Sequence, residues 1–259
     1  KTLQDLATYH RNQLSIPIIG ITGTNGKTTS KELIKEVLNT QLNTYATKGN
    51  LNNHIGVPLS ILEINTQHEI AIIEMGANHQ KEIEFLCNIA QPTHGAITNI
   101  GSAHLEGFGN IQGVINTKDE LFQFINKNKG HLFTNSDDEL LIELANGIEQ
   151  TTYGKTGDIN GEIESSTPFV SINYLDSTIS SQLIGSFQFS NILLAICIGK
   201  YFNISTQNIK NSIQEYIPTN NRSQIVKTNS NTLILDAYNA NPSSMSAMLH
   251  SFAKQHYDN

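Results

Sequence analysis

Six consecutive residues, Gly23-Thr24-Asn25-Gly26-Lys27-Thr28, have the types and order needed to hold a phosphate chain. Glycine lets the backbone turn tightly enough to present N–H groups to an anion, and a helix starting behind the turn adds partial positive charge. A lysine closing the loop brings a point charge to the β- and γ-phosphates, and the hydroxyl residue after it, Thr28, can ligate magnesium. The expected ligand is ATP with Mg²⁺. The strict form of this loop has a further glycine five residues before Gly26, where this chain has Ile21; Gly20 and Gly23 stand nearby instead. The loop is a variant.

Magnesium on a nucleotide usually draws on a protein carboxylate as well. Glu74 ends the apolar run Ile70-Ala71-Ile72-Ile73 and would point toward the same crevice, with a solvated strand-end acid as the other reading. His104 occupies a similar place beyond the run ending at Ile100, where a structural histidine is the alternative. Lys118 opens a polar helical stretch and reads, by itself, as a solvated charge. Two Asn-rich segments, Thr47 to Pro58 and Asp236 to Pro242, could present amides to a polar substrate or could simply be turns.

These residues need a scaffold that brings strand ends together. Short apolar runs at Ile16–Thr22, Asn43–Ala46, Glu69–Glu74, Gly95–Ile100 and Gly130–Thr134 read as strands. Helical patterns at Thr28–Leu38, Lys81–Ile89, Lys118–Ile125 and Asp137–Ala145 fall between and after them. Such alternation predicts an α/β fold with a mostly parallel sheet flanked by helices. From Gly154 to Ile184 the texture turns to Ser, Thr, Asn and Gly with short alternating runs, predicting a small antiparallel section. Helices return at Phe189–Phe202 and Thr206–Tyr216. Pro218-Thr219-Asn220-Asn221 is a candidate boundary, followed by strands at Gln224–Lys227 and Thr232–Asp236 and a helix from Ser243.

Composition narrows the class. The 259 residues are 38% hydrophobic, enough to bury a core, and carry a net charge of −7, which argues against nucleic acid or an anionic membrane surface as the main partner. The longest strongly apolar stretch, Ile192–Ile198, is far too short to span a bilayer, so no membrane insertion is expected. Cys87 and Cys197 lie far apart in apolar helical patterns, as buried thiols of a reducing compartment would.

Taken together, the segments resemble the Mur ligases, ATP-dependent amide-bond formers of peptidoglycan synthesis. The resemblance rests on Thr22 to Thr28, Thr47-Lys48-Gly49-Asn50-Leu51-Asn52-Asn53, Glu74-Met75-Gly76-Ala77-Asn78-His79, Ala103 to Gly109, and Tyr238-Asn239-Ala240-Asn241-Pro242-Ser243-Ser244-Met245. It runs from Ile16 to Met248. Within the family these motifs are most similar to the branch that adds D-alanyl-D-alanine to UDP-N-acetylmuramoyl tripeptide.

The resemblance implies roles residue by residue. Gly23, Thr24, Asn25, Gly26, Lys27, Thr28 and Thr29 would hold the ATP phosphates, with Lys27 on the β/γ-phosphates and Thr28 on one Mg²⁺. Glu74 would hold magnesium, His104 would lie beside a second metal, and Lys118 would be carbamylated to serve that metal. Lys27, His104 and Lys118 would form the catalytic group. Asn191 would meet adenine, and Arg222 and Asp236 would hold the nucleotide from the next domain. Thr47, Asn50, Asn52 and Asn53 would face the muropeptide. One departure is that the family's His-Asn pair before the adenine asparagine is Phe187 and Gln188 here.

The resemblance also implies a cytoplasmic monomer and two units: residues 1–217 as the central ATP-binding domain, and 218–259 as the start of a Rossmann-like C-terminal domain. The chain begins without methionine and ends in what reads as a helix. It is expected to be part of a longer protein, without the N-terminal domain that grips the UDP group, and nearly inactive alone. Other open readings are a family member adding a single amino acid, a folylpolyglutamate- or cyanophycin-type relative, and a nucleotide-binding module without ligase chemistry.

Overall fold

The computed structural model describes residues 1–101, 105–219, 221–238 and 240–254. At its centre is β1 (Ile18–Thr22), whose five residues are all buried. β3 (Ile70–Glu74) pairs with one edge of β1 and β4 (His94–Ile97) with the other, both in parallel. β2 (Thr44–Ala46), β5 (His131–Asn135), β6 (Gln150–Gly154) and β7 (Ile159–Asn160) extend this to a seven-stranded sheet of order β2-β3-β1-β4-β5-β6-β7. Runs of Ile and Ala suit the central strands because both faces are covered. Along β1 and β3 the side chains alternate between two cores: Ile19, Ile21, Ile70 and Ile72 face one, and Ile18, Ala71 and Ile73 the other.

The first core is closed by α2 (Lys27–Leu38), α8 (Gln188–Tyr201) and α9 (Thr206–Glu215). Every residue of α8 from Asn191 to Gly199 is buried, as expected of a helix that is apolar all round. The second core lies under α1 (Thr2–Arg11), α3 (Gly56–Glu63), α4 (Glu82–Ala90), α6 (Ile111–Lys127) and α7 (Glu139–Leu144). A short helix, α5 (Leu105–Phe108), precedes α6. The chain therefore leaves β1 toward one face and leaves β3 and β4 toward the other. A crevice opens above the carboxyl ends of these strands.

The antiparallel section is β8 (Glu162–Ser165), β9 (Ser171–Tyr174) and β10 (Ser177–Ser180), which pack onto the first core. Beyond residue 217, β11 (Gln224–Lys227) and β12 (Thr232–Leu235) form an antiparallel hairpin, and α10 (Pro242–Ala253) follows. Among the described residues this stretch is a hairpin followed by a helix. Among the described residues no helix is long and apolar enough to cross a membrane. Both cysteines are buried and unpaired, with thiols pushed well above their ordinary pKa by burial.

Several boundaries differ from the sequence expectation. β4 stops at Ile97, so Thr98 and Asn99 belong to a loop. α6 starts seven residues before Lys118, because Asn110 caps it by accepting from the Gly113 N–H at 2.9 Å. The β-branched and glycine residues of that first stretch hide its helical period. α1 escapes a periodicity reading because it buries little more than Ala7 and Arg11. Its anchor is polar: the Arg11 guanidinium donates to the carbonyls of Ala90, Leu14 and Gln91 at 2.8–3.1 Å.

Candidate functional site

The glycine loop links β1 to α2 directly. Gly23 has φ 146°, and a Cβ there would collide with the Thr98 hydroxyl. Gly26, the residue before α2, has φ 82°, and a Cβ there would stand 2.7 Å from Asn191 Oδ1. Both positions need glycine for backbone and for space. Ile21 is fully buried in the first core, so the strand occupies the place where the strict pattern has its first glycine. The turn begins two residues later. α2 has no side-chain cap, and its first internal bond runs from Ser30 N–H to Gly26 C=O. The N–H groups of Lys27, Thr28 and Thr29 are thus the orphan donors that a helix start offers an anion.

The loop is clamped from the β4 side. Asn99 Oδ1 accepts from Asn25 N–H at 3.0 Å, and Asn99 Nδ2 donates to Asn25 C=O at 2.9 Å. The Thr98 hydroxyl donates to the same carbonyl at 2.6 Å. From the far side, Asn241 Nδ2 donates to Asn25 Oδ1 at 2.8 Å, and Asn25 Nδ2 donates to Ser243 Oγ at 2.9 Å. Asn25 is therefore a bridge between the glycine loop and the N-terminus of α10. Asn99, Asn241 and Ser243 were not singled out for the loop from sequence. The Thr98-Asn99 pair carried a signal, since two polar residues directly after an apolar run mark a strand end.

Lys27 is half-buried, and its Nζ donates to the carbonyls of Gly23 at 2.7 Å and Thr24 at 3.1 Å. Burial lowers its pKa; Glu74 opposes the shift and Arg222 adds to it. The Thr28 hydroxyl donates to Glu74 Oε2 at 2.9 Å. The other carboxylate oxygen, Oε1, accepts from Asn52 Nδ2 at 2.8 Å. Glu74 is buried at the end of β3, level with Ile21 of β1, so the parallel register puts it beside the glycine loop.

Lys118 is buried on α6 facing the same space. Its pKa is pushed down to about 7, first by burial and then by the charge of Lys27; Glu120 and Glu82 pull the other way. Among the described residues its Nζ makes no hydrogen bond or ion pair, and it lies 5.8 Å from the centre of the Phe108 ring. At the other end of the cleft the Arg222 guanidinium stacks over the Tyr238 ring at 3.8 Å. Asp236 Oδ1 accepts from the Ser223 N–H at 3.0 Å.

One cleft of about 590 Å³ gathers Gly23 to Thr29, Asn52, Asn53, Glu74, Lys118, Asn191, Arg222 and Asp236. Two predicted residues stand elsewhere. Thr47 is buried behind Glu74, with its hydroxyl accepting from the Glu74 N–H at 3.0 Å. Asn50 is exposed on a neighbouring groove between α2 and α9. His104 lies outside the described residues. Asn53 lines the cleft, yet its Oδ1 accepts from the N–H groups of Ile55 and Gly56, which is turn chemistry. Asn191 is likewise committed: its Oδ1 accepts from the Ser30 hydroxyl at 3.0 Å and its Nδ2 donates to Gln188 Oε1 at 2.7 Å. Gln188, which stands where the family has asparagine, thus supports Asn191, and Phe187 lines the cleft next to it. Among the described residues no three His, Cys, Asp or Glu side chains cluster to hold a metal.

Residues 21–199 match the family described as the Mur ligase middle domain. The chain is 35% identical over 255 residues to a UDP-N-acetylmuramoyl-tripeptide–D-alanyl-D-alanine ligase of Bacillus subtilis (strain 168), covering 95% of this chain and 55% of that protein. The protein of the same name from Escherichia coli (strain K12) is 30% identical over 262 residues, covering 96% and 58%. The structure of MurF from Acinetobacter baumannii superposes with a TM-score of 0.89 at 30% identity, over 98% of this chain and 58% of that one. MurF ligase from Thermotoga maritima in complex with ADP gives a TM-score of 0.85 at 27% identity, over 98% and 60%. The chain spans a little over half the length of these relatives.

Proposed function

The chain belongs to the Mur ligase family, and from that premise we propose that it is the nucleotide-binding middle of a ligase joining D-alanyl-D-alanine to UDP-N-acetylmuramoyl tripeptide at the expense of ATP. Residues 1–217 serve as the central domain and residues from 218 onward as the start of the C-terminal ligase domain. The relatives that match along nearly the whole chain carry the name of that reaction. The observation that carries the reading is the convergence of a glycine loop, the Thr28–Glu74 pair and two lysines, Lys27 and Lys118, in one cleft. Its place of work is the cytoplasm, where ATP is made, and it acts as a monomer.

In this reaction the tripeptide carboxylate attacks the γ-phosphorus, an O–P bond forms as the bond to ADP breaks, and an acyl phosphate results. The amine of D-alanyl-D-alanine then attacks the acyl carbon, phosphate leaves and the amine gives up a proton. The chain's part is to hold charge and geometry. The N–H groups opening α2 and the Lys27 ammonium take the phosphates, placing donors where negative charge gathers. Asn52 presents the remaining donor capacity of its amide toward the muropeptide side. Arg222 and Asp236 bound the far end of the cleft, beside Asn191, where ribose and base fit.

Magnesium takes oxygen ligands, and Thr28 Oγ1 and Glu74 Oε2 are such oxygens, 2.9 Å apart at the base of the cleft. They fit the ion and would hold it; when bound it neutralises phosphate charge. Lys118 is an amine facing the cleft without a hydrogen-bond partner among the described residues. It fits the carbamylation that the family resemblance implies: its nitrogen bonds to the carbon of CO₂, one proton is released, and a carboxylate results.

The test uses the complete protein with ATP, the UDP-muramoyl tripeptide and candidate acceptors. D-alanyl-D-alanine should release phosphate in step with a new amide, at a rate at least about a hundredfold above that with single amino acids. Phosphate release stimulated by a single amino acid instead would reassign the acceptor.

A further inference from the structure

Lys31 sits one helical turn beyond Lys27 on α2, and its side chain is wholly buried. Burying an ammonium is costly unless oxygens surround it. Here they do: Nζ donates to the Thr47 carbonyl at 2.6 Å and lies 3.0 Å from Glu32 Oε1, 3.5 Å from the Gly49 carbonyl and 3.8 Å from Glu74 Oε2. If stability were all that mattered, an apolar side chain of similar length would fill this slot at least as well.

The acceptors define what Lys31 can do. Thr47 begins the segment that ends in Asn52 and Asn53, and its hydroxyl accepts from the Glu74 N–H. Glu74 in turn divides its carboxylate, one oxygen to Thr28 on the nucleotide side and one to Asn52 on the other. The Asn52 carbonyl accepts from Gly76 N–H at 2.7 Å, just after β3. α2, Thr47, Glu74 and Asn52 thus make a closed ring of polar contacts, and Lys31 is the strut from α2 to two of its members.

We propose that Lys31 is a positioning residue: it sets the aim of the Glu74 carboxylate and ties residues 47–53 to the phosphate-loop helix, so that the metal-side and substrate-side halves of the cleft keep one geometry. The inference rests on the ligase reading above. Lys31 touches neither phosphate nor substrate; it acts through Glu74 and Thr47. Residues that orient a metal ligand from behind typically govern about 10–100-fold in metal affinity.

Lys31→Met keeps the stem and removes the ammonium. In the complete protein, ADP binding measured by calorimetry without Mg²⁺ should stay within about twofold of the unmodified protein, because the loop N–H groups and Lys27 are untouched. The gain in ADP affinity on adding Mg²⁺ should fall at least about tenfold. Amide hydrogen exchange at residues 48–53 should speed up at least about tenfold while that of β1 and β3 holds. Equal weakening of ADP binding with and without Mg²⁺, or unchanged exchange at 48–53, overturns the proposal.

Two measurements do not depend on the Met variant folding. In the unmodified protein, Mg²⁺ added to the ADP-bound state should slow exchange at 48–53, and indifference there counts against Lys31 as the strut. Glu32→Gln, which removes the half-exposed partner, should leave the Mg²⁺-dependent gain in place; its loss would route the effect through Glu32 and overturn the assignment. Failure of the unmodified protein to bind ADP at all would sink the ligase reading, and this inference with it. Normal binding with an indifferent Lys31→Met sinks the Lys31 proposal alone.

Discussion

The two ends of the central strands treat ionisable side chains in opposite ways. Above the carboxyl ends of β1 and β3, ionisable side chains are matched to polar partners: Lys27 on two loop carbonyls, Glu74 between Thr28 and Asn52, Lys31 among Thr47, Glu32 and Glu74. At the amino ends of β4 and β5, histidines are packed among rings. His94 stacks on Phe133 with an interplanar angle of 9° and centroids 6.0 Å apart, and meets Tyr201 edge-on at 5.4 Å. His131 lies 4.5 Å from the same Tyr201 ring. Burial, helped by the charge of His131, pushes the His94 pKa down to about 4, so the ring is neutral near pH 7. One end gives its ionisable groups polar partners around a cleft open to a ligand; the other packs them among rings.

That contrast breaks first at Lys27. Lys27→Met should weaken nucleotide binding at least about a hundredfold, roughly 2.7 kcal/mol, while the melting temperature holds or rises, since a half-buried ammonium is removed. Calorimetry with ADP and a thermal melt check both halves. A fall in stability as large as the fall in affinity would erase the difference between the two ends.

The histidine end yields a pH test. A histidine whose folded pKa is depressed costs nothing above its unfolded value near 6.5, where both states are neutral. Below that, the unfolded chain takes up a proton that the folded chain refuses, so stability falls as pH drops from about 6.5 toward 4. For His94 the loss is roughly 3 kcal/mol at the acid limit. His94→Phe should remove that part of the acid destabilisation and leave ADP affinity at pH 7 unchanged. Urea unfolding of both proteins between pH 4 and 7 reads it out; parallel curves would mean that folded His94 takes up its proton as readily as the unfolded chain does.

The smallest effect sharpens the picture at the cleft itself. Asn53 stands at the upper end but serves the backbone of Ile55 and Gly56. Asn53→Ala should cost about 1 kcal/mol, and Asn53→Asp, which still accepts both N–H groups, under about 0.5 kcal/mol. A denaturant titration separates them. Equal losses would show that the amide N–H₂, and not the oxygen, is what matters there.

The central strands and α2 were legible because their apolar runs and the glycine loop are dense local signals. α1 was not, because Arg11 holds it through the carbonyls of Ala90 and Gln91, 79 and 80 residues further along the chain. α6 was half legible: its second part shows the helical period, whereas Gly113 and Ile115 mask the first. In the site, Lys27, Thr28 and Glu74 could be proposed from position alone, since strand ends and helix starts are local events. Lys31 could not. A lysine in the middle of a helix looks like a solvated charge until the fold brings Thr47 and Glu74 against it. Asn99 was hidden for the same reason, since it meets Asn25 only because β4 lies beside β1; Asn241 stood in a segment that stands out in the sequence, but its bond to Asn25 did not show there.

The sheathing of α8 has a consequence in time. α2 packs along α8 in the first core, but α8 begins about 150 residues after α2 ends. A ribosome adding roughly 5–20 residues per second therefore leaves the apolar side of α2 without this partner for about 8–30 s, long after its own helix can form. During that interval the nascent chain carries the glycine-loop sequence on a helix whose back is still open to water, before Asn241 and Ser243 have been made to hold Asn25. The helix that can form first thus waits for its partner, with Leu33, Ile34, Val37 and Leu38 short of their final cover until α8 emerges.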